Sequence, residues 1–171
     1  VIGNGLPTFS IGFNNSFRFK DFDFNFFLRG DFGHDLVNMY RVFYEPLGSR
    51  PIENSVKTEF FDENLTDAPR FSSRYVENAS YLALDNATIG YTLKMGEGSK
   101  ISRMRFYLTG QNVFFITNYT GVDPSPRFGD AGDPDNGGFQ GLTQNPLHPG
   151  LDRRNTYFRT RTITFGVNVG F

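Results

Sequence analysis

Phe9, Ile11, Phe13, Asn15, Phe17 and Phe19 alternate with Thr8, Ser10, Gly12, Asn14, Ser16, Arg18 and Lys20. Successive side chains of a strand point to opposite faces, so this spacing predicts a ribbon with one apolar and one polar face. A second run sets Phe22, Phe24, Phe26, Leu28 and Phe32 against Asp23, Asn25, Arg29 and Asp31, with Phe27 the one exception. Only Lys20 and Asp21 separate the runs, which predicts a tight hairpin, although Lys-Asp is not a favoured pair for a two-residue turn. That register puts Phe19 opposite Phe22, Phe17 opposite Phe24 and Phe13 opposite Leu28. On the other face it puts Arg18 opposite Asp23 and Ser16 opposite Asn25, like with like and charge with countercharge.

Three more runs follow. Leu82 and Leu84 continue as Ala87, Ile89, Tyr91 and Leu93, a slip of one residue near Asp85 and Asn86 that predicts a bulge. Met104, Phe106 and Leu108 alternate with Arg103, Arg105, Tyr107 and Thr109, and Ile163, Phe165, Val167, Val169 and Phe171 alternate with Thr162, Thr164, Gly166, Asn168 and Gly170. The expected strands are about 8–20, 22–33, 80–94, 101–117 and 156–171. Between them lie two long connections, about 34–79 and 118–155, rich in Pro, Gly, Asp and Asn. Leu36, Met39, Tyr40 and Phe43 fall at helical spacing after Asp35, with Pro46 as a stop, so a short helix is expected in the first.

The apolar face of such ribbons can line a soluble core or meet lipid. The runs reach or exceed the roughly 9–11 residues that cross a bilayer at a tilt, beyond the usual soluble strand of about five or six. Connections alternate strictly between short and long, the asymmetry of outer-membrane barrels. The 21 Phe and 8 Tyr sit in a chain of mean hydropathy -0.40, so the apolar residues are arranged rather than massed. Five strands cannot close a transmembrane barrel, which needs about eight or more, and open edges are not tolerated in lipid. The expectation is therefore an all-β chain, the last five antiparallel strands of a larger transmembrane barrel, with the short helix in an extracellular loop. The competing expectation is a soluble carbohydrate-binding β-sandwich.

Other chemistry is sparse. A net charge of -1 gives no basic footprint for nucleic acid. Without Cys there is no disulfide framework or thiolate site. His34 and His148 lack neighbours at metal-ligand spacing. Asp130, Asp133, Asp135 and Asn136 crowd a Gly-rich stretch, but the spacing is not that of a calcium loop and no glutamate closes it. Glu59, Asp62 and Glu63 read as a hydrated surface, and the Asn-x-Ser/Thr triplets at Asn64, Asn78, Asn86 and Asn118 are set aside as glycan sites. No catalytic constellation, metal site or cofactor is expected. The chain shows no charged leader with an apolar core and cleavage site, and it begins at Val1 without a Met, which suggests a processed or truncated product with any signal upstream. Tyr119, Asp123, Phe128 and Phe139 in the second loop are the candidate substrate or lid contacts, the aromatic ones because amphipathic rings stack on sugars or peptide side chains.

Several stretches together resemble the SusC-like (RagA-type) TonB-dependent transporters of Bacteroidetes outer membranes, in their C-terminal strands. They are Gly12 to Phe17 with Phe22-Asp23-Phe24, Ser73 to Leu82, Asn86 to Leu93, Gly110 to Phe114 running into Tyr119 to Pro124, and Arg161 to Phe171. The resemblance spans nearly the whole chain and is weakest from Val42 to Ala68. Ala79 and Ala83 depart from the pattern, standing where Gly and a basic residue are frequent. The resemblance implies a barrel of about 22 strands with a plugged lumen, located in the cell outer membrane and importing oligosaccharides or peptides. Its implied partners are a SusD-like lipoprotein lid, the TonB complex, the barrel-insertion machinery and outer-membrane lipid. It also implies that Ile163, Phe165, Val167, Val169 and Phe171 form the C-terminal signal read by that machinery. A TonB-dependent receptor for iron chelates or vitamins, working without a lid, is the rival within the class.

Overall fold

Alternation becomes strand wherever the sequence shows it. The computed structural model describes residues 1–48, 55–96, 98–125, 149–152 and 158–171. Five long strands, β1 (Phe9–Phe19), β2 (Phe22–Phe32), β5 (Tyr81–Lys94), β6 (Arg103–Thr117) and β8 (Thr162–Gly170), form one sheet in the order β1-β2-β5-β6-β8. Three short ones, β3 (Asp35–Asn38), β4 (Val76–Asn78) and β7 (Leu151–Asp152), form a second sheet in the order β4-β3-β7. The one α-helix among the described residues is α1 (Met39–Tyr44). The chain divides into a sheet unit (Ser10–Gly30, Tyr81–Ile116, Arg159–Phe171) and a loop unit (Val1–Phe9, Asp31–Ser80, Thr117–Phe158).

In the sheet unit the hairpin stacks in the expected register. Phe17 lies on Phe24 with centroids 6.4 Å apart and planes 15° apart, and the strand ends assigned to the loop unit keep the same register, Phe9 lying on Phe32 at 4.9 Å. Lys-Asp serves as the turn because Lys20 takes a left-handed backbone (φ 54°) and Asp21 is tied to β5. The Asp21 carbonyl accepts the Thr92 amide at 2.8 Å, and its carboxylate meets Lys94 at 3.1 Å. The expected Arg18–Asp23 pair does not form. Both carboxylate oxygens of Asp23 are taken by Arg105 of β6, at 2.9 and 2.5 Å, across the intervening strand β5. The crossing is open because the residue beneath is Gly90: a Cβ there would lie 2.5 Å from Arg105 Nη2 and 2.6 Å from Asp23 Oδ1.

The expected slip in β5 is present. Asp85 meets Arg29 at 2.5 Å and Thr88 meets Thr109 at 2.8 Å. Both bonds lie on the polar side, yet the β5 residues are three apart, so one residue of β5 is extra. Strands β6 and β8 pair Leu108 with Phe165, Phe106 with Val167 and Met104 with Val169 on the apolar face, and Arg105 with Asn168 and Tyr107 with Gly166 on the polar face. The ladder ends at Gln111↔Thr162, so residues 158–161 are not strand, against the expected start near 156. Asn112 is left-handed (φ 50°), which turns its backbone out of the ladder, and its side-chain amide donates to the Thr160 carbonyl at 3.0 Å instead.

The apolar face of the sheet unit is exposed. Phe13, Phe17, Phe22, Ile89, Leu108, Ile116 and Phe165 are all exposed, Phe165 to 67%. Buried hydrophobic residues gather in the loop unit instead: Leu36, Val42, Tyr75, Ala79 and Tyr119, joined in the sheet unit only by Tyr81 and Ala83 among the described residues. No described helix is long and apolar enough to cross a membrane, which says nothing about crossing by strands.

Gly166 is needed for space. A side chain there would run into the Tyr107 ring opposite, the aromatic covering the gap in the strand. Gly166→Val in the intact protein is expected to lower stability by about 1–3 kcal/mol, as overpacking does. Gly96→Ala, where no atom lies within 4 Å, is expected to leave the thermal unfolding midpoint unchanged.

Candidate functional site

In the loop unit the two long connections are held together by buried polar groups. The expected helix over Leu36 to Phe43 is shorter than its spacing suggests. Leu36 lies instead in β3, which pairs antiparallel with β4 (Leu36↔Glu77) and parallel with β7 (Asn38↔Asp152). Two-sided pairing outweighs a helical period only about two turns long. Asn38 then caps the helix, its Oδ1 accepting the Arg41 amide at 3.1 Å.

The helix aims Arg41 into the interior, 3% exposed. Its Nε donates to Glu45 at 2.6 Å and its Nη1 to Glu77 at 2.6 Å. The rings of Phe60 and Tyr75 lie 4.2 and 5.6 Å from the guanidinium carbon. Thr58 donates to the same Glu45 carboxylate. Glu77 carries the network to the second loop, its Oε2 accepting the Thr120 amide at 2.9 Å and hydroxyl at 2.7 Å. Asp152 makes the next tie, accepting the Tyr119 hydroxyl at 2.7 Å and the Val122 amide at 3.1 Å. His34 Nε2 lies 2.9 Å from the Pro124 carbonyl.

The electrostatics follow from these contacts. Burial pushes the Glu77 carboxyl up, but the bonds from Arg41 and Thr120 outweigh it and hold the group below its ordinary value. Burial likewise works against charge on Arg41, and its bonds to Glu45 and Glu77 reverse that. Burial, then the Asp152 carboxylate, raise the Tyr119 phenol far above its ordinary range, so its hydroxyl remains a donor.

The residues singled out in the sequence fall in three places. Tyr119 and Asp123 are buried, at 6% and 3% exposed. One is held by Asp152, the other accepts the Ser125 amide at 2.8 Å, so both are spent on packing the loop unit and neither presents a surface. Phe128 and Phe139 lie outside the described residues, as do His148, Asp130, Asp133, Asp135 and Asn136. Ile163, Phe165, Val167, Val169 and Phe171 form an exposed apolar row. Ala79 is fully buried beside Leu36 and Tyr119 and donates its amide to the His34 carbonyl at 2.9 Å. Among the described residues the loop unit exposes the rings of Phe9, Phe60, Phe71 and Phe158, of which Phe60 and Phe71 were not singled out. Nor were Arg41, Glu45, Glu77 and Asp152, although Arg41 and Glu45 stand at the i, i+4 helical spacing. The network contains no activated nucleophile. Its chemistry is that of a rigid clamp.

Comparison with known proteins places these features. No family model matches the chain. The chain is 31% identical to TonB-dependent receptor P3 of Formosa agariphila over 180 residues, an alignment covering 100% of this chain and 17% of the receptor. It is 29% identical to TonB-dependent receptor SusC of Bacteroides thetaiotaomicron over 133 residues, covering 70% of this chain and 13% of SusC. In fold it superposes on the solved RagAB peptide transporter with a TM-score of 0.70 at 22% identity, covering 98% of this chain and 17% of that one. The RagAB importer in its closed-closed state gives 0.73 over 100% of this chain and 18% of that one. The matched proteins are receptors and transporters, not enzymes.

Two outcomes test the clamp. Arg41→Met strands Glu45 in the interior, and loss of one partner of a buried ion pair is expected to destabilise the loop unit by about 3–5 kcal/mol, read as faster limited proteolysis of residues 34–79. Glu77 has a lowered carboxyl pKa in the folded state. Its contribution is full above its unfolded value near 4.5 and is lost as pH falls through the folded value. Corrected hydrogen-exchange protection of the Thr120 amide should therefore fall below about pH 4.5. Glu77→Gln should flatten that dependence.

Proposed function

We propose that this chain, a segment of the SusC-like TonB-dependent receptor family, forms part of the barrel wall and external loops of an outer-membrane nutrient importer. One observation carries the reading: strands of 9 to 15 residues carry an exposed phenylalanine-rich face and, on the opposite face, charged and hydrogen-bonded side chains. An exposed apolar face of this extent is costly in water and favourable in hydrocarbon. A soluble sandwich would bury those rings against a second layer, so their exposure speaks for lipid.

The segment spans 17% of the receptor of Formosa agariphila that it matches, so the transport cycle belongs to a larger protein. In this reading the chain supplies the last five strands of a barrel of about 22. In such a barrel the short connections face the periplasm and the long connections face outward. The cargo is an oligosaccharide or a peptide, the latter suggested by the fold likeness to the RagAB peptide transporter. A SusD-like lipoprotein covers the loops, TonB energises the cycle, and the row from Ile163 to Phe171 is read by the insertion machinery. Contact with cargo or lid falls to exposed rings, Phe60 and Phe71, and to Phe128 and Phe139 in the second loop. Tyr119 and Asp123 shape that surface from beneath.

The test is gentle extraction of the intact receptor from outer membranes. A stoichiometric lipoprotein partner and uptake of labelled peptide or oligosaccharide that stops when TonB is deleted are the expected results. Uptake of an iron chelate or vitamin with no lipoprotein partner would favour the receptor without a lid. Phe171→Ser is expected to reduce the amount of receptor in the outer-membrane fraction several-fold without altering its synthesis, measured by quantitative immunoblot.

A further inference from the structure

The polar face of the sheet unit carries a groove to which all five strands contribute. Arg18 of β1, Asp23 of β2, Thr92 of β5, Arg103 and Arg105 of β6, and Asn168 of β8 line a cavity of about 470 Å³. All lie near the short turns. Three guanidiniums face one carboxylate among the lining residues, and Arg105 donates to both oxygens of that carboxylate, Asp23. The other nearby carboxylate, Asp21, is paired with Lys94 at 3.1 Å. Arg18 also acts on Asp23 through space, but neither Arg18 nor Arg103 makes a direct ion pair among the described residues, so the groove holds more positive than negative charge. Arg103 is laid along the groove by Gly170, where a Cβ would stand 3.0 Å from its Cγ and 3.2 Å from its Nε.

We infer that this groove receives a carboxylate side chain from a part of the full-length protein outside residues 1–171, bound between Arg18 and Arg103. The inference rests on the reading above, that the chain is one portion of a larger receptor. Each guanidinium offers a planar fork of N–H donors matched to a carboxylate, and the Thr92 hydroxyl and Asn168 amide add neutral partners on the walls. The chain spans 17% of its matched relative, so most of the polypeptide lies elsewhere, and a carboxylate tethered to it reaches the groove at high effective concentration. A soluble anion would have to hold two partly hydrated arginines against salt screening without that advantage. The Arg105–Asp23 bridge sets the selectivity. By consuming the groove's own carboxylate it leaves two positive charges uncompensated at one place on the wall.

The experiment uses the full-length receptor in outer membranes, with Arg18→Lys and Arg103→Lys made separately. Each is treated with a zero-length carbodiimide, which condenses an amine with a carboxylate in contact, and the digest is mapped by mass spectrometry. The expected result is an amide from position 18 or 103 to an Asp or Glu outside residues 1–171, absent from the corresponding Arg→Gln variants. Formation of the Lys94–Asp21 amide in the same sample certifies the reaction. That control link alone, or a link only to Asp23, in protein recovered from the outer membrane overturns the inference. Failure of the broader reading is distinguishable, since the protein would then be missing from the outer-membrane fraction altogether.

Discussion

A strand separates its two faces by nothing thicker than a backbone, so when one face is aromatic and the other charged they must meet different surroundings. That separation governs everything else in this chain. Among its described residues the sheet unit buries only Tyr81 and Ala83 of its hydrophobic side chains. Its order comes from backbone ladders and from polar cross-strand contacts on one side: Arg29 with Asp85, Thr88 with Thr109, Arg105 with Asp23. Glycine is used where that side is crowded, so that Gly90 admits an ion pair and Gly166 a tyrosine ring. Hydrocarbon around the other face would take the place of a core, since apolar rings are as well solvated there as in a protein interior.

The loop unit follows the opposite rule. It is built in the ordinary way around Leu36, Val42, Tyr75, Ala79 and Tyr119, but what joins its two long connections is polar. Arg41 is shared between Glu45 and Glu77, Glu77 receives Thr120, and Asp152 receives Tyr119. A buried network of this kind contributes little net stability compared with apolar packing, yet it tolerates few alternative arrangements, because each misplacement leaves a charge unpaired. In the proposed role, where these loops would meet a partner or cargo, one defined shape would matter more than a large folding free energy.

How much of this was legible in sequence depended on whether the signal was local. Period two marked β1, β2, β5 and β6 and the slip in β5 because adjacent residues alone decide which face a side chain takes. The hairpin register followed from a turn of fixed length. What failed involved distant partners. Arg18 and Asp23 are opposite each other in the hairpin, but the capture of Asp23 by Arg105 depends on a missing side chain at Gly90 in a third strand. Leu36 reads as helix by spacing, and only pairing with segments about 40 and 115 residues further along makes it strand. Tyr119 and Asp123 looked like surface groups in a polar loop. Their burial is set by Asp152 and by the β3–β7 pairing, neither of which any short window contains.

The central claim is that the phenylalanine-rich side is wetted by lipid tails. Cysteine is absent from the chain, so single sites can be introduced at Phe165→Cys, Val167→Cys, Thr164→Cys and Asn168→Cys and spin-labelled in the intact protein in bilayers. The account predicts labels at 165 and 167 relaxed mainly by oxygen dissolved in the hydrocarbon, and labels at 164 and 168 relaxed little by it. Equal protection of all four sites from oxygen, or relaxation of 165 and 167 by a water-soluble nickel chelate alone, would contradict it.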